Sequence, residues 1–279
     1  MNKIKEPTRV ITITSGKGGV GKTHTTVNLG LALAKLGKKV LLLDGDLGLA
    51  NINILMGFKP KKTLHQVVTG EASLQEVIVS TKQGIDIIPA SCGIPELTNL
   101  SEEDRISLIN AFDTLAEEYD YMLIDTAAGI GDNVLYFNIA AEDIIVVVGP
   151  EPTSITDAYA LIKVLSQKCD RKEFNILINR CTPGSDGRNT FAQFSSICEH
   201  FLNVSLKFLG SIVDDESVSQ AVLKQRPFLE LYPSSRASQD VEKLARKLTI
   251  QQNRKAPQGG LQFFFKNLLD STNAFFADV

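Results

Sequence analysis

No stretch of this chain approaches the roughly 18 consecutive apolar residues that a membrane-spanning helix needs. The first nine residues, Met1 to Arg9, are polar and lack the apolar core of a secretory signal. Both absences lead to the expectation of a cytosolic protein. Cysteine is sparse, with Cys92, Cys169, Cys181 and Cys198 scattered and no C-x-x-C pair among them. Neither a zinc ribbon nor a dithiol redox motif is written there, and four reduced thiols in or near a core are expected. An excess of one charge is missing too, since 29 basic against 32 acidic residues leave a formal −3. That balance excludes a global attraction for nucleic acid or anionic lipid, so any such binding is local. Aromatics make up only 7% of the chain, yet five of the 14 phenylalanines fall in its last 17 residues.

What is present is a chain of 279 residues, 43% of them hydrophobic, enough for one large domain or two small ones. Short β-branched runs alternate with longer amphipathic stretches, the pattern of βαβ units. The expected fold class is α/β, a mostly parallel twisted sheet flanked by helices on both faces. Candidate strands are Val10 to Thr14, Lys39 to Leu43, Ile85 to Ile88, Tyr121 to Ile124, Ile144 to Val148, Phe174 to Ile178 and Phe208 to Ile212. Candidate helices are Thr23 to Leu36, Glu102 to Glu117, Ser154 to Lys168, Thr190 to Leu202, Ser217 to Lys224 and Gln239 to Leu248. The expected division is a nucleotide-binding domain over 1–250, a polar linker carrying Pro257, Gly259 and Gly260 over 251–260, and an amphipathic helix over 261–279.

Between the first strand and first long helix stands Gly16-Lys17-Gly18-Gly19-Val20-Gly21-Lys22-Thr23, which fits the P-loop pattern in the strand, loop, helix context it requires. The glycines let successive N–H groups turn toward phosphate oxygens, and the following helix N-terminus adds favourable potential for an anion. Lys22 would bridge the terminal phosphates of ATP, and Thr23 would ligate Mg²⁺. Lys17 is the unusual residue, either a solvated charge or a group aimed at a nucleotide.

Carboxylates end two further strands. Asp44 and Asp46 follow Lys39 to Leu43, and Asp125 follows Tyr121 to Ile124, in the region where open α/β sheets bind ligands. Four apolar residues delivering Asp125 is the layout of a Mg²⁺-holding Walker B strand. By itself the Asp44-Gly45-Asp46 triplet also reads as a turn or a helix cap. Gly129 would offer its N–H to the γ-phosphate. Asn179 and Arg180 follow another strand, as does the loop holding Asp215; Asn179 also fits an Asx turn.

With Lys17 inside its P-loop, the chain resembles the family of deviant Walker A ATPases that includes MinD and ParA. The resemblance implies that Lys17 reaches across a nucleotide-sandwich homodimer to the partner's phosphates, that Asp46 orients the attacking water, and that Asp44 and Asp46 support the metal site with Asp125. It also implies that Asn179, Arg180 and Asp215 belong to base-recognition segments. The runs Asp125 to Ile130 and Pro150 to Lys163 resemble the FlhG branch (also FleN or YlxH), regulators of flagellar number and placement. That branch implies ATP hydrolysis with Mg²⁺, reversible binding to the inner face of the cytoplasmic membrane, and as partners the flagellar GTPase FlhF and basal-body proteins. Nine residues precede the first strand and hold no D-Q-A-x-x-L-R segment, so control of FlhF by that segment is not expected. MinD-type division-site selection and ParA-type DNA segregation are the alternatives, and a metabolic P-loop transferase is a third class. Dispersed charge argues against nucleic acid as a partner.

The clustered phenylalanines complete the reading. Leu261, Phe264, Phe265, Leu268 and Leu269 repeat at helical spacing, with Gln262, Lys266, Asn267 and Asp270 opposite. Too short to span a bilayer, such a helix would lie in its interface or pack on the protein's own body; the resemblance implies both in turn.

Overall fold

The computed structural model describes residues 7–46, 51–89, 102–116, 118–184, 187–252, 260–261 and 263–268. Among the described residues, eight strands form one sheet: β1 Arg9–Ser15, β2 Val40–Gly45, β3 Val79–Ser80, β4 Asp86–Ile88, β5 Tyr121–Ala128, β6 Asp143–Val148, β7 Glu173–Cys181 and β8 Ser205–Val213. Their order across the sheet is β3-β4-β2-β5-β1-β6-β7-β8. Every described pairing is parallel except that of β3 with β4. Strands β2 and β6, read VLLLDG and DIIVVV, are buried at every residue, which is why they lack the alternation of a one-sided strand.

The described helices before the C-terminal segment are α1 Lys22–Lys35, α2 Ile52–Leu55, α3 Leu64–Val68, α4 Leu74–Val77, α5 Glu102–Ala116, α6 Asp132–Ala140, α7 Pro152–Lys168, α8 Arg188–Phe201, α9 Glu216–Leu223, α10 Phe228–Leu231 and α11 Arg236–Gln252. One sheet face packs Ile11, Ile13 and Leu42 against Val27 and Leu31 of α1 and Val241, Leu244 and Leu248 of α11. On the opposite face the alternate residues Val10, Leu41 and Leu43 meet Phe112 of α5 and Phe137 of α6. Helix α6 has no legible stripe because Val134, Leu135, Tyr136, Phe137, Asn138 and Ala140 are all buried, so periodicity did not announce it. Helix α11 runs to Gln252 and Gly260 is helical, which leaves 253–259 of the expected linker outside the described residues.

Residues 260–261 and 263–268 are helical. Leu261, Phe264, Phe265 and Leu268 are buried in one cluster with Phe112, Leu115, Tyr136, Phe137 and Ala140. Phe265 stacks on Phe112 with an interplanar angle of 16°, and Phe264 meets Phe265 edge-on. Leu269 lies outside the described residues. Phe263 points outward, 53% exposed.

Two chain segments distant in sequence are tied by a buried ion pair. Arg9 Nη2 lies 2.6 Å from Asp143 Oδ2, and Arg9 Nη1 donates to the Leu248 carbonyl at 3.1 Å. One side chain thus joins the starts of β1 and β6 to the end of α11. Asp143→Ala strands the buried guanidinium, and a loss of about 3 to 5 kcal/mol in urea unfolding is expected. A loss below about 1 kcal/mol would mean that the guanidinium has regained water.

Candidate functional site

Strand β1 ends at Ser15, and the P-loop turns into α1 through Gly19 and Gly21, at φ 78° and 90°, angles that favour glycine. Two neighbours press on the loop. A Cβ on Gly16 would stand 2.1 Å from the Asp157 carbonyl oxygen of α7, and one on Gly21 would stand 2.3 Å from Asn179 Nδ2. Asn179 Nδ2 donates to the Val20 carbonyl at 2.7 Å, so the loop is clamped between α7 and β7. No side chain caps α1 at Gly21, and its first N–H groups suit an anion.

Parallel pairing of β2 with β5 sets Asp44 beside Asp125. Asp125 is fully buried and accepts from three residues of the loop and α1: Lys22 Nζ at 3.3 Å, Thr23 Oγ1 at 2.6 Å and Thr26 Oγ1 at 3.2 Å. Burial raises the Asp125 pKa, opposed by Lys22 and the hydroxyls. Asp44 gathers the turn after β2, accepting from the N–H groups of Asp46 at 3.2 Å, Asn51 at 3.0 Å and Ile52 at 3.2 Å. Burial first, then the charge of Asp125, push its pKa up to about 7. Two buried carboxylates side by side, with the Thr23 hydroxyl beside them, form a hard-oxygen set whose repulsion a divalent cation relieves. These residues fit Mg²⁺.

Lys17, Gly18, Gly19, Gly21, Lys22, Thr23 and Asp46 line a cavity of about 410 Å³. Asp46 is half-buried and accepts from Asn51 Nδ2 at 3.3 Å. Lys17 is not turned to the loop's own interior; its Nζ donates to Thr153 Oγ1 of α7 at 2.7 Å. The run Pro150 to Lys163 thereby seats both Gly16 and Lys17. Gly129, at φ 95°, gives its N–H to the Ser15 carbonyl at 2.9 Å, a bond that must break before it can serve a phosphate.

A second cavity of about 180 Å³ holds Asn179, Arg180, Asp214 and Asp215, and shares Gly19, Gly21 and His24 with the first. Arg180 has φ 58° and stands 3.9 Å from both Glu151 and Asp214. Asp215 caps α9, accepting from Ser217 N at 2.9 Å and from Ala237 N at 3.2 Å. Burial works to raise its pKa, but the hydrogen bonds from Ser217, Ala237 and Arg236 hold it below the usual range. Its carboxylate is therefore committed to the backbone around the cavity. Sequence reasoning passed over His24, which borders both cavities; it directly follows Thr23, and burial lowers its pKa. It also passed over Thr26, one turn beyond Lys22.

The raised Asp44 pKa has a signed consequence. Between about pH 4 and pH 7 the folded protein keeps a proton that the unfolded chain has lost, so this contribution to stability is present at low pH and disappears as pH rises through 7. Protein without nucleotide should lose up to about 1.4 kcal/mol per pH unit from this group between pH 5 and 7. Asp44→Asn should flatten that slope in urea unfolding, and an unchanged slope would refute the assignment.

A protein-family profile described as an AAA domain matches residues 8–178. The chain is 44% identical to the antiactivator FleN of Pseudomonas aeruginosa, over 94% of each chain. It is 33% identical to the flagellum site-determining protein YlxH of Helicobacter pylori, over 95% of this chain and 91% of that one. The septum site-determining protein MinD of Pyrococcus horikoshii, solved with Mg-ADP, matches with a TM-score of 0.68 and 28% identity over 90% of this chain and 100% of its own. With its P-loop lysines and strand-end carboxylates in this arrangement, the chain belongs to the FleN/YlxH group of the MinD/ParA-type P-loop ATPases.

Proposed function

We propose that this protein is an ATP-driven molecular switch regulating flagellar number and placement: ATP closes a symmetric homodimer, the dimer binds the cytoplasmic membrane and its protein partners, and hydrolysis resets it. The reading rests above all on Asp125 gathering Lys22 and Thr23 beside Asp44, at a cavity that also presents Lys17 and Asp46. In this scheme Lys22 leaves Asp125 to bridge the terminal phosphates. Mg²⁺, held by Thr23 and Asp125 with Asp46 near, would neutralise phosphate charge and order water around it. Asp46 orients the attacking water. Lys17 exchanges Thr153 for the phosphates of the second copy, an arginine-finger-like neutralisation in trans.

Dimer closure gains support from the rim of the cavity, where Ile54 and Val222 are 54% and 42% exposed and a second copy would cover them. The expected domain division gives the switch its output. Leu261, Phe264, Phe265 and Leu268, with Leu269 next in sequence, are the apolar face offered to the membrane, and a dimer brings two such faces together. FlhF and basal-body proteins are the partners in this reading, as the resemblance to the FlhG branch implies.

Lys17→Ala should abolish ATP-induced dimerisation in light scattering, whereas Asp46→Ala should trap the dimer with hydrolysis lost. An Asp46→Ala protein hydrolysing ATP at the normal rate would sink the mechanism. ATP-dependent co-sedimentation with liposomes should vanish when the chain is cut after Gln258, and should vary little with salt because the attraction is apolar. Binding of DNA but not liposomes would favour a segregation ATPase.

A further inference from the structure

A third cavity, of about 340 Å³, opens at the outer edge of the sheet between β8, the start of α8 and the middle of α11. It shares no lining residue with the two nucleotide cavities. A bulge shapes it. Along β8 the register with β7 slips between Phe208 and Gly210. A Cβ on Gly210 would stand 2.6 Å from the Leu244 side chain, so glycine there lets α11 close against the strand.

Among the described residues, three cations line this space, Arg188, Lys243 and Lys247, with one carboxylate, Asp240. Asp240 holds Lys243 at 2.9 Å and also accepts from Val213 N at 3.3 Å. Lys247 Nζ donates to the carbonyls of Phe208 at 2.6 Å and Leu209 at 2.9 Å. The Arg188 guanidinium and the Lys247 ammonium lie 5.2 Å and 5.8 Å from the centre of the same Phe208 ring. Burial and the charge of Arg188 both lower the pKa of Lys247. Like charges have been assembled around a hollow, an arrangement that an anion relieves.

The rest of the lining narrows the class of anion. Phe208, Leu209 and Leu244 give the cavity an apolar floor. Arg188, the first residue of α8, offers a fork suited to phosphate oxygens where the helix dipole adds its own attraction. Lys247 occupies strand carbonyls that an added peptide strand would need, which disfavours sheet extension by an acidic peptide. We propose that this cavity is a second ligand site, separate from the nucleotide site, which takes a small organic phosphate: the phosphate on Arg188, Lys243 and Lys247, the apolar part on Phe208 and Leu244.

The test uses the full chain saturated with Mg²⁺ and a non-hydrolysable ATP analogue, so that the nucleotide's phosphate positions are filled. Phenyl phosphate and inorganic phosphate are titrated by calorimetry. Phenyl phosphate should bind with a Kd below about 1 mM, and Lys243→Gln with Lys247→Gln should weaken it by about tenfold or more while ATP hydrolysis stays unchanged. Lys243→Arg with Lys247→Arg should retain it. Tighter binding of phenyl phosphate than of inorganic phosphate supports an organic ligand; equal affinities would overturn the apolar part of the assignment in favour of free phosphate. No binding, or binding indifferent to both lysines, would overturn the site. So would a short DNA duplex held through these lysines while phenyl phosphate is not.

Discussion

The site is organised by one buried carboxylate. Asp125, inside β5 and with no solvent access, is bearable only because Lys22, Thr23 and Thr26 all turn toward it. Those three residues belong to the P-loop and the first turns of α1, so the charge that must be satisfied also fixes how the helix leaves the strand. Asp44 is forced beside it by the β2–β5 register, and the resulting repulsion leaves the pair poised for a proton or a cation. A loop that cradles phosphate and a carboxylate pair that needs a counter-charge are therefore one arrangement, not two motifs that happen to be near.

The same neighbourhood reaches the far face of the sheet. Gly45, between the two aspartates of the β2 turn, would meet the Phe137 ring at 3.1 Å if it carried a Cβ. Phe137 sits on α6, the helix that follows the Gly129 loop, and α6 supplies Tyr136, Phe137 and Ala140 to the cluster that buries Leu261, Phe264, Phe265 and Leu268. In the proposed switch, a movement of the Gly129 loop that frees its N–H from Ser15 would be passed to the helix forming part of the seat of the C-terminal segment. Packed cores respond to such displacements by rearranging as units.

What the sequence made legible was local chemistry on regular elements. Short β-branched and apolar runs marked seven of the eight described strands, and the glycines with Lys22 and Thr23 marked the loop, because each depends on neighbours along the chain. The contacts joining distant segments carried no such signal. Nothing near Thr153 indicates that it will hold Lys17, and nothing in Asn179 alone separates a base contact from a clamp on Val20. Asp215 read as a loop carboxylate and is an N-cap, a distinction that needs the position of Ala237 as well as Ser217. Helix α6 escaped because burial all round erases the periodicity by which helices are recognised, and β3 because two residues are too few to form a pattern.

The C-terminal segment shows why apolar clustering was informative without being decisive. Each of Leu261, Phe264, Phe265 and Leu268 contributes about 1.5 to 3 kcal/mol when buried, while ordering the segment costs about 1 to 2 kcal/mol per residue. Gain and cost are of similar size, so apolar clustering alone decides neither docking on the body nor release from it. A bilayer would receive the same side chains that now face Phe112 and Tyr136, which makes the docked and membrane-bound arrangements mutually exclusive. In the proposed switch, the body of the protein thus competes with the lipid for one apolar face. The proposed dimer would shift that competition by presenting two faces to one surface, so that the second binds at high effective concentration once the first is in place.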